Sequence, residues 1–260
     1  MRPQEHIKYL SGSPYRPEIL SVLCEDALRP AELTDEIDVT RTTIQRVLRG
    51  FTERNWIVKR NGAYCATATG QRLWETYETL SQEVERAETY GPLAVNAREI
   101  ADALAPEIFT RTTATLPTNR NPLAPLERYF AVCAEVETAV HQMAPIVTTE
   151  AIEMIDDVLS DEIPVRLLID TELYETIQQQ YGGVLRRWNA DPHISLGVSE
   201  LPIKYGLSIL DETVIAGSVD QGQNIEIIVE GTDPELLEKT TKFYETRWAE
   251  STPLSTLLSE

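Results

Sequence analysis

Thr40, Arg41, Thr42, Thr43, Gln45, Arg46 and Arg49 fall within one decade of the sequence, and Lys59, Arg60 and Asn61 follow a short apolar run. Arg and Gln make bidentate hydrogen bonds to guanine and adenine edges in the major groove of DNA. Thr hydroxyls and Arg near a helix start suit phosphate oxygens. The stretch 39–64 holds six Lys and Arg against a single acid, Glu53, a net of +5 within a chain of formal net charge −19. A segment whose charge opposes that of the whole molecule points to a dedicated anionic partner. These residue types point to double-stranded DNA. The bland alternative is a protein-contacting domain whose arginines form a solvated face, but a +5 stretch inside a −19 protein is an odd choice for contacting an equally acidic partner.

The elements that must position these side chains are short helices and a hairpin. "RPEILSVLCEDA" puts Ile19, Leu20, Val22 and Leu23 on an apolar stripe, with Pro17 in its first turn. "PAELTDEI" is a second short helix. Ile44, Val47, Leu48 and Phe51 then recur at i, i+3, i+4 and i+7, the spacing of a buried helix face, which leaves the arginines and Gln45 on the other side. Thr40 is the expected N-cap. Two β-biased runs, "NWIVKR" and "YCATA", meet at Asn61-Gly62, a strong short hairpin signal. Helix, helix–turn–helix and basic hairpin together predict a winged helix-turn-helix over residues 1–70. The next helix, 71–91, carries Leu73, Trp74, Tyr77, Leu80 and Val84 along one side, the expected dimerisation stripe of a homodimer; packing on its own domain is the other use of such a stripe.

Residues 92–260 alternate helix and strand. "LERYFAVCAEVETAVHQM" reads as helix, "PIVT" as a short strand, "TEAIEMIDDVLSDE" as an amphipathic helix, "PVRLLID" as a buried strand, and "TELYETIQQQYG" as a helix opened by Thr171. Strand runs follow at "HISLGVS", "YGLSILD", "TVIAGSV" and "IEIIVEG", before a last helix, "PELLEKTTKFYETRWAES". This order predicts a sheet covered by helices. The fold class expected is therefore α+β and α/β in two domains: the winged helix-turn-helix at 1–70, a connecting helix at 71–91, and an α/β effector domain at 92–260.

Composition bounds the rest. Residues 1–75 hold 11 Lys and Arg against 10 Asp and Glu, a net of +1, so the remaining 185 residues carry −20. Only five residues are Lys, the other 18 cations being Arg. Abundant carboxylates with few lysines match a halophile's solvated acidic surface; a merely very soluble acidic protein is the other reading. No apolar run has membrane-spanning length and the first twenty residues lack an apolar signal core, so a cytoplasmic location with no membrane partner is expected. Cys24, Cys65 and Cys133 lie far apart, and His6, His141 and His193 form no metal-ligand pair. No P-loop, GxSxG or GxGxxG occurs, so neither cofactor nor metal is expected.

Residues 7–75 resemble the winged-helix domains of archaeal transcriptional regulators related to the ArsR and TrmB groups, on the line "ELTDEIDVTRTTIQRVLRGFTERNWIVKRNGAYCATATGQRLWE". Residues 96–252 resemble the middle domain of FilR-type regulators, related to the TrmB sensor domain, on "TRTTATLPTNRNPLAPLERYF", "IPVRLLID" and "PIKYGLSILDETVIAGSVD". The hairpin is also similar to phospholipase-D-like folds, whose catalytic element is H-x-K-x4-D followed by Gly-Ser. Lys204 and Gly217-Ser218 remain here, but Pro202 stands at the histidine position, Ile209 stands at the aspartate position, and Asp211 is displaced. Without the imidazole there is no nucleophile, so a non-catalytic sensor is expected rather than an enzyme. The resemblance implies a small-molecule effector, a sugar or sugar phosphate, and the cations and rings available for it are Arg166, Arg186, Arg187, Trp188, His193, Lys204 and Tyr205. Surface ion pairs are the competing use of each. The resulting expectation is a homodimeric, sequence-specific DNA-binding transcriptional regulator tuned by a metabolite. Its rivals are a phospholipase-D-like phosphodiesterase with a DNA-targeting domain and a winged-helix interaction scaffold.

Overall fold

The computed structural model describes residues 2–220, 222 and 224–258. The chain forms two compact units, Met1–Glu85 and Arg86–Glu260, divided within one long helix.

The first unit opens with α1 (Pro3–Ser11), α2 (Tyr15–Glu25), α3 (Pro30–Glu36) and α4 (Arg41–Glu53). Pro sits in the first turn of α1 and α3, where its missing N–H costs nothing. The hairpin β1 (Ile57–Arg60) and β2 (Ala63–Ala66) pairs Arg60 with Ala63, so Asn61 and Gly62 alone make the turn. Both have positive φ, 50° and 89°, the type I′ geometry that Asn-Gly adopts cheaply. Helix α5 (Ala68–Thr89) follows. The apolar face read from the periodicity of α4 is the core: Ile44, Val47, Leu48 and Phe51 are buried with Ile19, Leu20, Leu23, Leu33 and Trp56. Gly70 is required where α5 crosses Trp56, because a Cβ there would lie 2.0 Å from the Trp56 carbonyl oxygen.

The second unit is a mixed eight-stranded sheet between two helical layers. Short helices α6 (Gly91–Asn96), α7 (Arg98–Leu104) and α8 (Glu107–Thr110) precede the edge strand β3 (Thr113–Thr115). There follow α9 (Ala124–Cys133), β4 (Val140–Met143), α10 (Thr149–Ser160), β5 (Val165–Asp170), α11 (Thr171–Gln180), α12 (Gly182–Ala190) and β6 (Ile194–Ser199). The meander β7 (Tyr205–Leu210), β8 (Thr213–Val219) and β9 (Ile225–Gly231) leads to α13 (Pro234–Ala249), β10 (Thr252–Pro253) and α14 (Leu254–Leu257). Strand order is β10-β6-β5-β4-β7-β8-β9-β3, with β4, β5 and β6 parallel and the rest antiparallel. Alternate residues feed two cores. Val140, Leu167 and Ile215 pack with α10, α11 and α12, whereas Met143, Leu168 and Ala216 pack with α6, α7 and α13.

One segment departs from the sequence reading. The helix expected to run to Met143 ends at Cys133, and His141 and Gln142 lie in β4, at the centre of the sheet; "PIVT" is not a strand. The cause lies 72–74 residues away in the sequence. The Asp211 carboxylate accepts from the backbone N–H groups of Glu137 (2.9 Å), Thr138 (2.8 Å) and Ala139 (3.1 Å), holding open the turn that ends the helical stretch. Helix α11 does begin at Thr171, but its cap is Asp170, which accepts from Leu173 and Ile203.

Candidate nucleic-acid interface and sensor cavity

In the first unit the local sequence leaves one face of α4 to solvent. Thr40 caps the helix, its Oγ1 accepting from the Thr43 N–H at 3.3 Å and sharing a 3.0 Å hydrogen bond with the Thr43 hydroxyl. The first turn of α4 contains no acid, so its free N–H groups present unneutralised positive potential. Arg41, Thr42, Gln45, Arg46 and Arg49 are exposed, and so are Lys59, Arg60 and Asn61 on the hairpin. A groove of about 480 Å3 between α4 and the hairpin is lined by Gln45, Arg49 and Lys59 together with Glu53. Two details were not legible from counting charges. Arg49 is paired with Glu53 at 2.9 Å on the exposed surface. Arg54, one of the cations behind the +5, turns inward over the Tyr9 ring at 3.7 Å and donates to the Gly50 carbonyl.

The stripe on α5 divides. Leu73, Trp74 and Tyr77 pack onto the core of their own unit, the two rings stacked with centroids 6.1 Å apart. Leu80 and Val84 are 58% and 51% exposed.

The residues singled out in the second unit are not gathered into one site. Arg166 forms a two-pronged ion pair with Glu245 and lies over the Trp248 ring at 4.5 Å. Tyr205 is buried in the core on the α13 side, and burial pushes its hydroxyl pKa well up, reinforced by Glu99. Trp188 is buried on the opposite side, donating to Asp156 at 2.9 Å; Arg187 pairs with the same carboxylate. His193 Nδ1 stands 3.4 Å from Asp191. Arg186 and Lys204 are exposed. Near the phospholipase-D-like positions, the Asp211 side chain is committed to the 137–139 turn. Ser218 is fully buried, its hydroxyl donating to Glu226 at 3.3 Å.

A cavity that residue typing did not reveal opens where β4 ends. It holds about 90 Å3, several times the space one ordered water needs. Its walls include Leu126 and Phe130 of α9, Ile146, and Ile215, Ile225 and Ile228 of the meander. A smaller apolar pocket shares Gln142, Ala144, Ile146 and Ala151 with it and ends at Trp188. The paired glycines Gly206 and Gly217 leave the sheet face bare there. On the polar wall, Gln142 and Ser208 are cross-strand partners, and the Tyr129 hydroxyl is 3.4 Å from Ser208 Oγ. Burial pushes the Tyr129 pKa well up, and it pushes the neighbouring Cys133 thiol up to about 11, so both are neutral near pH 7. Gln142 is 8% exposed and its Oε1 has no hydrogen-bond partner among the described residues; such an orphan acceptor costs about 1–3 kcal/mol.

Comparisons with known proteins fall on both units. Residues 4–89 match the HVO_A0261 N-terminal domain, and residues 122–250 match the middle domain of the methanogenesis regulatory protein FilR1. No curated protein matches the chain in sequence. Among solved structures, TrmBL2, described as an archaeal chromatin protein with a novel mode of DNA binding, is 14% identical at a TM-score of 0.43, covering 89% of this chain and 90% of its own. NucT from Helicobacter pylori is 17% identical at 0.46, covering 55% and 98%. Nuc of Salmonella typhimurium, a phospholipase D family member, is 16% identical at 0.45, covering 55% and 97%. Among the described residues no helix is long and apolar enough to cross a membrane. The chain thus combines a segment that matches the HVO_A0261 N-terminal domain with one that matches the middle domain of the FilR1 regulatory protein.

Proposed function

We propose that this protein is a sequence-specific DNA-binding transcriptional regulator in which α3 and α4 form a helix-turn-helix, the β1–β2 hairpin is the wing, and α4 reads the major groove. The observation that carries this reading is the exposed row Arg41, Gln45, Arg46 and Arg49 on α4, beside Lys59, Arg60 and Asn61 on the hairpin. Thr42 and the Thr40–Thr43 cap supply phosphate contacts at the helix start. The regulatory middle-domain match supports the same reading. A homodimer through Leu80 and Val84 pairs two recognition helices across a palindromic site. The second unit holds the effector, whose binding changes the spacing or order of the paired helices.

Selection of bound fragments from random duplex DNA tests this. The purified protein enriches a palindromic motif, and Arg46→Ala lowers affinity for it by about 1–3 kcal/mol, the worth of one bidentate base contact. Enrichment of no motif, or a motif unchanged in Arg46→Ala/Arg49→Ala, defeats the reading and leaves the protein-contact scaffold.

The second unit is read as non-catalytic. Pro202 supplies no imidazole, and the Asp211 side chain already serves the backbone turn at 137–139. Turnover of bis-p-nitrophenyl phosphate above a heat-denatured control, lost on Lys204→Ala, overturns this and restores the phosphodiesterase.

A further inference from the structure

We propose that the cavity at the end of β4 binds a small, uncharged, largely apolar molecule whose single hydrogen-bond donor is directed to Gln142 Oε1. This rests on reading the second unit as the effector-holding part and names the chemistry of its ligand.

Four observations converge. Among the described residues, no Asp, Glu, Lys, Arg or His lines the cavity or the pocket that adjoins it. A phosphate or carboxylate would be buried there without a counter-charge, which is strongly unfavourable. Of the polar lining residues, Gln142, Ser208 and Tyr129 lie together, Thr148 accepts from the Ala151 N–H and Ser218 donates to Glu226, against walls of Leu, Ile and Phe. A sugar would leave most of its hydroxyls unpaired against such walls. Within the cluster, Gln142 Oε1 is buried and unpartnered, an acceptor awaiting a donor. Finally, the space is open by the choice of glycine. A Cβ on Gly206 would meet nothing nearer than Pro145 Cδ at 4.0 Å, so larger side chains were sterically available at that position.

The test uses the full chain without DNA, so that its failure is separate from failure of the DNA-binding reading. Phenol and indole are the probes, with benzene, benzoate, glucose and glucose 6-phosphate beside them, read by thermal melting and titration calorimetry. Phenol or indole raises the melting temperature and binds more tightly than benzene; benzoate and both sugars give no shift. Gln142→Leu, which removes the orphan oxygen and leaves an apolar side chain in its place, keeps the fold and abolishes the preference for phenol over benzene. Gly206→Leu fills the space and abolishes binding of phenol, indole and benzene. The absence of a shift with phenol and indole overturns the proposal. So does a shift with benzoate or either sugar equal to that with phenol, or a phenol preference that survives Gln142→Leu.

Discussion

Arg49 and Glu53 show how a single residue sets the character of the proposed DNA face. Their ion pair is exposed on both sides, so it adds only a few tenths of a kcal/mol to α4. Glu53 also lines the groove shared by Gln45 and Lys59 and faces any phosphate that enters it. Glu53→Gln therefore tightens DNA binding several-fold with little change in melting temperature, measurable by fluorescence anisotropy. Lys59→Ala weakens all sequences alike and lowers the slope of log affinity against log salt by about 1, the signature of a lost phosphate contact. A third residue governs pH response. His141 stacks on Tyr244 at 5.3 Å, and burial, then the adjacent Arg166, hold its pKa below the ordinary value, with Glu245 opposing. A lowered histidine pKa means that the native state resists protonation. Stability is present above the unfolded pKa of about 6.5 and is lost as pH falls below it. His141→Phe flattens the melting temperature between pH 7 and pH 5. The exposed row on α4 was legible in the sequence because helical spacing separates buried from free positions. The inward turn of Arg54 onto Tyr9 and the orphan Gln142 oxygen were not, since both depend on partners that no local spacing encodes.

Elements were legible where one rule decided them. The type I′ turn needed Asn61-Gly62 and nothing else, and α4 needed only its apolar period. The 126–143 stretch failed because its Ala, Glu, Gln and Met favour helix locally, whereas Asp211 and the sheet register decide the outcome from a distance. Asp211→Ala removes the acceptor of three backbone N–H groups and is expected to cost about 1–3 kcal/mol, seen as a lower denaturation midpoint with α9 and β4 losing hydrogen-exchange protection first. A paired comparison tests packing in the first unit. Gly70→Ala drives a Cβ into the Trp56 backbone carbonyl, whereas Gly50→Ala meets the Tyr9 hydroxyl, the end of a side chain that rotates away. Gly70→Ala is thus the more damaging, by about 1–3 kcal/mol.

At the scale of the whole chain, charge is apportioned by task. Residues 1–75 are near neutral, with five of their eleven Lys and Arg on α4 and the hairpin, while the remainder carries −20. Salt should then act in opposite directions. Screening the carboxylates relieves self-repulsion and raises the melting temperature, while the same salt weakens DNA binding through counterion competition. On the proposed reading, discrimination rests on base-edge contacts, because a −19 molecule gains little from indiscriminate attraction to phosphate. The central claim, that α4 reads DNA sequence, is tested most directly by sequencing DNA crosslinked to the protein in its native cells, wild type beside Arg46→Ala/Arg49→Ala. The account predicts sharp promoter peaks that vanish in the double variant while protein levels hold. Peaks indifferent to the substitutions, or none above background in the wild type, would contradict it.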